Sequence, residues 1–167
     1  MDDVPFTIAP ASGGVTAPLG FRAGASHCGI KPSPLELDLA VLAADSPVPV
    51  AALLTTHPEP AAPVTVSRQH LESTGGIAHA VVVNSGSANA RTGPEGFTHA
   101  KLMTAETATG FACPPEQILV ASTGVIGVRL PLNLLSAGIR AALGTMTRSG
   151  GADAARAIMT TDRFPNE

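Results

Sequence analysis

Short apolar runs separated by polar loops are the main pattern along the chain. Continuous apolar runs of this length are typical of β-strands buried on both faces. The run at residues 78–83, with three consecutive valines, is the clearest of them. The predicted strands are residues 37–42, 48–54, 63–67, 78–83 and 118–121.

Helical patterns lie between and after these strands. Residues 96–109 contain three Ala together with Leu and Met, and are followed by Gly110, a helix C-terminal signal. Pro131 suits the first turn of a second helix over 131–143, and 152–159 predicts a third, short helix. Strands interleaved with helices predict an α/β layered domain. No linker or internal repeat interrupts the pattern, so we expect one domain over residues 1–167.

Composition and charge exclude several classes of protein. The chain is 44% hydrophobic and 14% charged, which excludes a disordered polar chain. Its net charge of −3 and its lack of Trp and Tyr argue against a nucleic-acid partner. No apolar run approaches the ~20 residues of a membrane span, and the acidic start Met1-Asp2-Asp3 is unlike a signal peptide. We therefore expect a cytoplasmic protein without a membrane partner.

Polar loops follow the predicted strands and the last helix. The loop at 84–93 carries Asn84 and Asn89, which either face a ligand or cap backbone groups in a strand-to-helix connection. Thr123-Gly124, at a strand end, can aim a hydroxyl and a backbone N–H at one point as an oxyanion hole does, or form an ordinary glycine turn. The residues 160–162 either bind an ammonium or amide group or form a capping cluster.

The cysteines and histidines predict neither a disulfide framework nor a metal site. Cys28 and Cys113 are expected to be buried or idle thiols. His27-Cys28 has no second ligand pair at zinc-like spacing. The chain also lacks a phosphate-binding loop and a G-x-S-x-G elbow. From these patterns alone the chain is an α/β domain with polar loops and no assigned activity.

A collinear series of segments resembles one enzyme family. The segments are residues 14–18, 20–23, 29–31, 37–40, 61–64, 83–90, 121–127 and 157–162. Any one of these segments alone is weak evidence for a family. Their succession over about residues 11–165, however, resembles the bifunctional glutamate N-acetyltransferase/ornithine acetyltransferase family.

The resemblance implies a fold, an activity and site residues. The fold is the layered α/β sheet-and-helix type of self-processing ornithine acetyltransferases and aminopeptidases, of which this chain is the N-terminal, α-chain portion. The implied activity is ping-pong transfer of acetyl from N-acetylornithine to glutamate in arginine biosynthesis, with acetyl-CoA as a second candidate donor and no further cofactor. The nucleophile is the first threonine of a β chain released by self-cleavage, in an α2β2 heterotetramer. Thr123 and Gly124 correspond to the oxyanion hole, and Thr160 to a substrate-binding threonine.

The chain also departs from the family pattern. Arg91 stands where the family usually has Cys, and Glu59-Pro60 replaces its usual Val-Lys. The sequence stops at Glu167, before the family's cleavage site, so we expect the isolated chain to be inactive. The alternatives are a non-catalytic truncated paralogue, acting at most as a binding module, and a related self-cleaving peptidase, which the motifs favour less.

Overall fold

A four-stranded sheet forms the centre of the computed structural model, which describes residues 13–165. The acidic start Met1-Asp2-Asp3 and residue 11, where the family resemblance begins, lie outside that range. The strands are β1 (Phe21–Ser26), β2 (Leu39–Pro49), β3 (Ile77–Ser87) and β4 (Ile118–Val125). They lie side by side in this order. The pairs β1–β2 and β2–β3 are antiparallel, and the pair β3–β4 is parallel.

Helices cover the two faces of the sheet unequally. They are α1 (Ala62–Thr74), α2 (Gly93–Phe111), α3 (Leu132–Gly144) and α4 (Gly151–Ile158). The first three pack on one face around fully buried residues such as Val82, Met103 and Leu135. The short α4 covers part of the other face through small residues including Ala154 and Ala157. None of the helices described here has the length and apolar character needed to cross a membrane.

Most predicted elements are confirmed. The strands at 78–83 and 118–121 lie in β3 and β4, and the three predicted helices correspond to α2, α3 and α4. The predicted strand at 37–42 overlaps the start of β2. The layered α/β class is therefore confirmed, because each strongly patterned segment adopts the structure its own periodicity favours.

The predicted strand at 63–67 is wrong, because these residues begin α1. Pro63 lies at the start of the helix, where its fixed φ favours helix and its missing N–H costs nothing. The β-branched Val64, Thr65 and Val66 suggested a strand, but Val66 is fully buried in the core beneath α1. Tertiary packing therefore overrides local β-propensity here.

Two further strand assignments differ from prediction. Of the predicted strand at 48–54, only Val48 and Pro49 belong to β2, and Leu53 is fully exposed. Strand β1 was missed because small residues, including Gly24, interrupt its apolar pattern. A Cβ on Gly24 would lie 2.1 Å from the carbonyl oxygen of Ala142, so glycine lets the end of α3 cross this strand.

The outer face of the sheet is only partly covered, contrary to the expectation of strands buried on both faces. Along β3, Ala80 and Val82 are buried while Val81 and Val83 remain half-buried. Together with Leu42, both line an apolar hollow of ≈ 260 Å³ beside α4. Within residues 13–165, the sheet thus presents a packed inner face and an apolar, incompletely covered outer face.

Candidate functional site

The loops after β3 and β4 meet at one end of the sheet. Because the two strands are parallel, their carboxyl ends lie side by side, where ligands commonly bind in open α/β sheets. The register pairs Ser85 with Thr123 and Gly86 with Gly124. An open groove of ≈ 520 Å³ lies here, and Thr123, Gly124 and Thr160 all line it. The structure thus brings together the three residues singled out in the sequence.

Bare glycine backbone forms the floor of this groove. Gly86 and Gly124 have φ angles of 103° and 127°, which residues with a side chain rarely adopt. A Cβ on Gly124 would lie 2.4 Å from the carbonyl carbon of Gly86. A Cβ on Gly86 would lie 2.8 Å from the Ile30 side chain. The two glycines therefore permit β4 to pack closely against β3, and the loop at Ile30 to pack closely against Gly86.

The threonine side chains differ in their surroundings. Thr123 is half-buried, and its hydroxyl makes no hydrogen bond within residues 13–165. Thr160 is exposed just after α4, and its backbone N–H donates to the Asp162 carboxylate at 3.0 Å. The capping cluster, one of the two alternatives for residues 160–162, is therefore present. Its hydrogen bond holds Thr160 at the groove.

The asparagine loop is tied to the protein interior. Asn84 and Asn89 are fully buried. Asn84 donates to the carbonyl of Ser87 at 2.8 Å and accepts from the Ser122 hydroxyl at 2.6 Å. Asn89 donates to the carbonyl of Gly96 in α2 at 2.9 Å. Both asparagines thus satisfy buried groups beside the groove rather than facing it, in agreement with the backbone-capping alternative.

One wall of the groove is a loop held by a buried carboxylate that the sequence patterns did not reveal. Asp38 is fully buried and accepts four backbone N–H groups, at 2.6 to 3.0 Å. The donors are Cys28, Gly29, Ile30 and Lys31. This network places Ile30 against Gly86 and Lys31 in the groove. The only signal in the sequence is a carboxylate inside an otherwise apolar run.

Both cysteines are free, and the structure gives Cys28 no role as a nucleophile. Burial, reinforced by the negative charge of Asp38, raises the pKa of the Cys28 thiol to about 12. Burial also raises the pKa of the half-buried Cys113. No group of three or more His, Cys, Asp or Glu side chains gathers at a metal-binding distance in the part of the chain described.

We predict that Cys28 resists alkylation in the folded protein. Iodoacetamide reacts with the thiolate, which a pKa near 12 almost eliminates at pH 8. Mass spectrometry of peptides should show Cys28 unmodified while Cys113 reacts slowly, and both should react in urea. Rapid native labelling of Cys28 would mean that the loop opens easily.

Two positions that depart from the family pattern contact each other away from the groove. Arg91 and Glu59 form an ion pair at 3.3 Å, and both side chains are more than 70% exposed. Such an exposed pair contributes little to stability. These departures therefore leave the geometry of the groove intact.

Comparison with known proteins places the chain among ArgJ proteins. The model of the ArgJ family matches residues 22–167. The chain is 48% identical over 157 residues to the arginine biosynthesis bifunctional protein ArgJ of Symbiobacterium thermophilum, covering 93% of this chain and 39% of that protein. It therefore spans about two fifths of the length of that curated relative.

Solved structures agree with the sequence comparison. ArgJ of Bacillus halodurans superposes with a TM-score of 0.82 at 36% identity, covering 91% of this chain and 78% of that one. Ornithine acetyltransferase of Mycobacterium tuberculosis, crystallised with ornithine, superposes with a TM-score of 0.84 at 42% identity. That match covers 90% of this chain and 81% of the other.

Proposed function

Because this chain belongs to the ArgJ family, we propose that it is the N-terminal part of an acetyltransferase of arginine biosynthesis. The reaction moves an acetyl group from N-acetylornithine to glutamate. The main support for this proposal is that Thr123, Gly124 and Thr160 line one groove at the carboxyl ends of two parallel strands.

The groove has the features that acyl transfer requires. Attack on an acetyl carbonyl creates a tetrahedral intermediate with a negative oxygen, which preorganised donors stabilise. The free hydroxyl of Thr123 and the backbone of Gly124 supply such donors in this proposal. The β3–β4 pairing and the bond from Ser122 to buried Asn84 hold the strand end in place. Thr160, which lines the same groove, contacts the substrate in this proposal.

The nucleophile belongs to the proposed C-terminal part of the enzyme, a β chain beginning with threonine. Its α-amino group, with a pKa of about 8, accepts the hydroxyl proton as the oxygen attacks the acetyl carbonyl. Ornithine leaves as its amine takes up that proton, and an acetyl-threonine ester remains. The neutral amine of glutamate then attacks the ester carbonyl, and the bond to the threonine oxygen breaks. The amine proton passes through the α-amino group to that oxygen, which regenerates the threonine hydroxyl and releases N-acetylglutamate. Acetyl-CoA is a second candidate donor for the first half of this cycle.

The exposed apolar surface on the outer face of the sheet supports the proposal that a second chain packs there. Val81, Val83 and Leu42 leave an apolar hollow there, and apolar surface of this kind marks interaction sites. In this proposal the β chain covers that face in an α2β2 assembly. The 39% coverage of the relative leaves ample length for such a part.

We predict that only the complete protein transfers acetyl groups. This chain co-expressed with a matching ArgJ C-terminal part should convert N-acetylornithine and glutamate to ornithine and N-acetylglutamate, detected by chromatography. The 167-residue chain alone should give no product, because in this proposal the nucleophile belongs to the β chain. Product from the isolated chain would overturn the placement of the nucleophile. A complete protein that is folded but inactive would favour the non-catalytic alternative.

A further inference from the structure

Among the described residues that line the groove of the proposed acyl-transfer site, Lys31 is the one with a cationic side chain. It lines the groove together with Thr123, Gly124 and Thr160. It also lines an adjoining hollow of ≈ 410 Å³, next to Arg156 and Asp162. Only 9% of Lys31 is exposed, which is unusual for lysine. Arg156 has a carboxylate partner in Asp153, whereas Lys31 has none within residues 13–165.

Lys31 is held at both ends before any ligand arrives. Its backbone N–H donates to Asp38 Oδ2 at 3.0 Å, and its Nζ donates to the carbonyl of Leu37 at 3.0 Å. A lysine side chain normally loses much rotamer freedom when it binds a ligand. Here that freedom is already restricted, so the side chain is preorganised for binding.

The charge of Lys31 lacks a counter-ion in this part of the protein. An ammonium group has three N–H donors, and one of them reaches the Leu37 carbonyl. No Asp or Glu oxygen of residues 13–165 lies within 4.0 Å of Nζ. Asp38 is close in sequence, but its oxygens accept four backbone N–H groups. Pairing with an anion would stabilise a nearly buried cation of this kind, because burial without a counter-charge is costly.

We propose that Lys31 binds the α-carboxylate of the amino-acid substrate. The inference rests on the proposed function. N-acetylornithine and glutamate share an α-carboxylate one carbon away from the nitrogen that gives or takes the acetyl group. The same lysine in the groove with Thr123 and Gly124 therefore helps to position both the donor and the acceptor, which occupy the groove in turn.

Kinetics of the complete protein test this role. Lys31→Met keeps a long apolar side chain and removes the charge. We expect KM for both substrates to rise about 10- to 100-fold, because losing a hydrogen bond to a charged group usually weakens binding by this factor. The change in kcat should be smaller. Lys31→Arg should restore part of the affinity. Lys101→Met, at the exposed position of the chain's other lysine, is the matched control and should change neither constant.

The structural alternative is that Lys31 only clamps the loop to Leu37. In that case Lys31→Met would lower the Tm of the complete protein and leave both KM values unchanged. That result would overturn the inference.

Chemical footprinting tests the site without turnover. The complete protein is treated with a lysine-acylating reagent, and modification of Lys31 is followed by mass spectrometry. Glutamate and its γ-amide, glutamine, should slow modification of Lys31, whereas the α-amide, isoglutamine, should not. Lys101 should react equally in all samples. Equal protection by isoglutamine would overturn the inference. Protection by glutamate in a protein that transfers no acetyl group would uphold the site and refute the proposed reaction.

Discussion

Replacing Asp38 with alanine is expected to lower the free energy of unfolding by about 3–5 kcal/mol. The variant removes the acceptor for four backbone N–H groups in the loop beside the groove. Each buried donor left unsatisfied costs about 1–3 kcal/mol, and partial access of water to the loop keeps the total below the full sum. Asp38→Asn retains one acceptor oxygen and should cost less than alanine.

Urea unfolding followed by far-UV circular dichroism measures this effect, since the chain has neither Trp nor Tyr as a fluorescent probe. Glu36→Ala is the matched control, because it removes a carboxylate from the same loop that makes no side-chain hydrogen bond in the described residues. Its effect should stay within about 0.5 kcal/mol. A loss below about 1 kcal/mol for Asp38→Ala would show that other contacts hold the loop.

Thr123→Ala in the complete enzyme is expected to lower kcat about 100-fold or more, with little change in KM. In the proposed mechanism the hydroxyl stabilises charge that exists only in the transition state. Its removal should leave folding intact, since that hydroxyl makes no hydrogen bond within residues 13–165. Thr123→Ser keeps a hydroxyl and should recover much of the rate.

The control for Thr123 is Thr98→Ala, an exposed threonine on α2. It should leave both kinetic constants unchanged. Gly124→Ala is a poorer test, because its Cβ would lie 2.4 Å from the Gly86 backbone and would disturb the strand pair itself. An unchanged rate in Thr123→Ala, with normal Tm, would remove this residue from the proposed role.

Much of the fold is readable from local pattern, and the exceptions have physical causes. The valine run of β3 and the amphipathic face of α3 are local signals that agree with their packed positions. The first turn of α1 carries β-branched residues, so Pro63 was the better guide there. Strand β1 lacks an apolar signature because α3 crosses it at Gly24, a contact that exists only in the folded chain.

The candidate site was only partly predictable for a similar reason. The residue pattern offered Thr123-Gly124 and residues 160–162 each with two alternatives, and the family resemblance chose the functional one. No spacing rule places residue 160 beside residue 123. Their convergence depends on the parallel register of β3 and β4 and on the path of α4 across the outer face. The role of Asp38 requires the loop before β2 to fold back over its side chain, which no local pattern records.

In the proposed function, this groove forms half of an acetyl-transfer site that works through an acetyl-enzyme. Isotope exchange tests it most directly: the complete protein is incubated with N-acetylornithine and labelled ornithine, without glutamate. An acetyl-enzyme predicts that label enters N-acetylornithine, and that Thr123→Ala slows this exchange in proportion to its loss of kcat. Label that enters N-acetylornithine only when glutamate is present, or at an equal rate in the variant, would contradict the account.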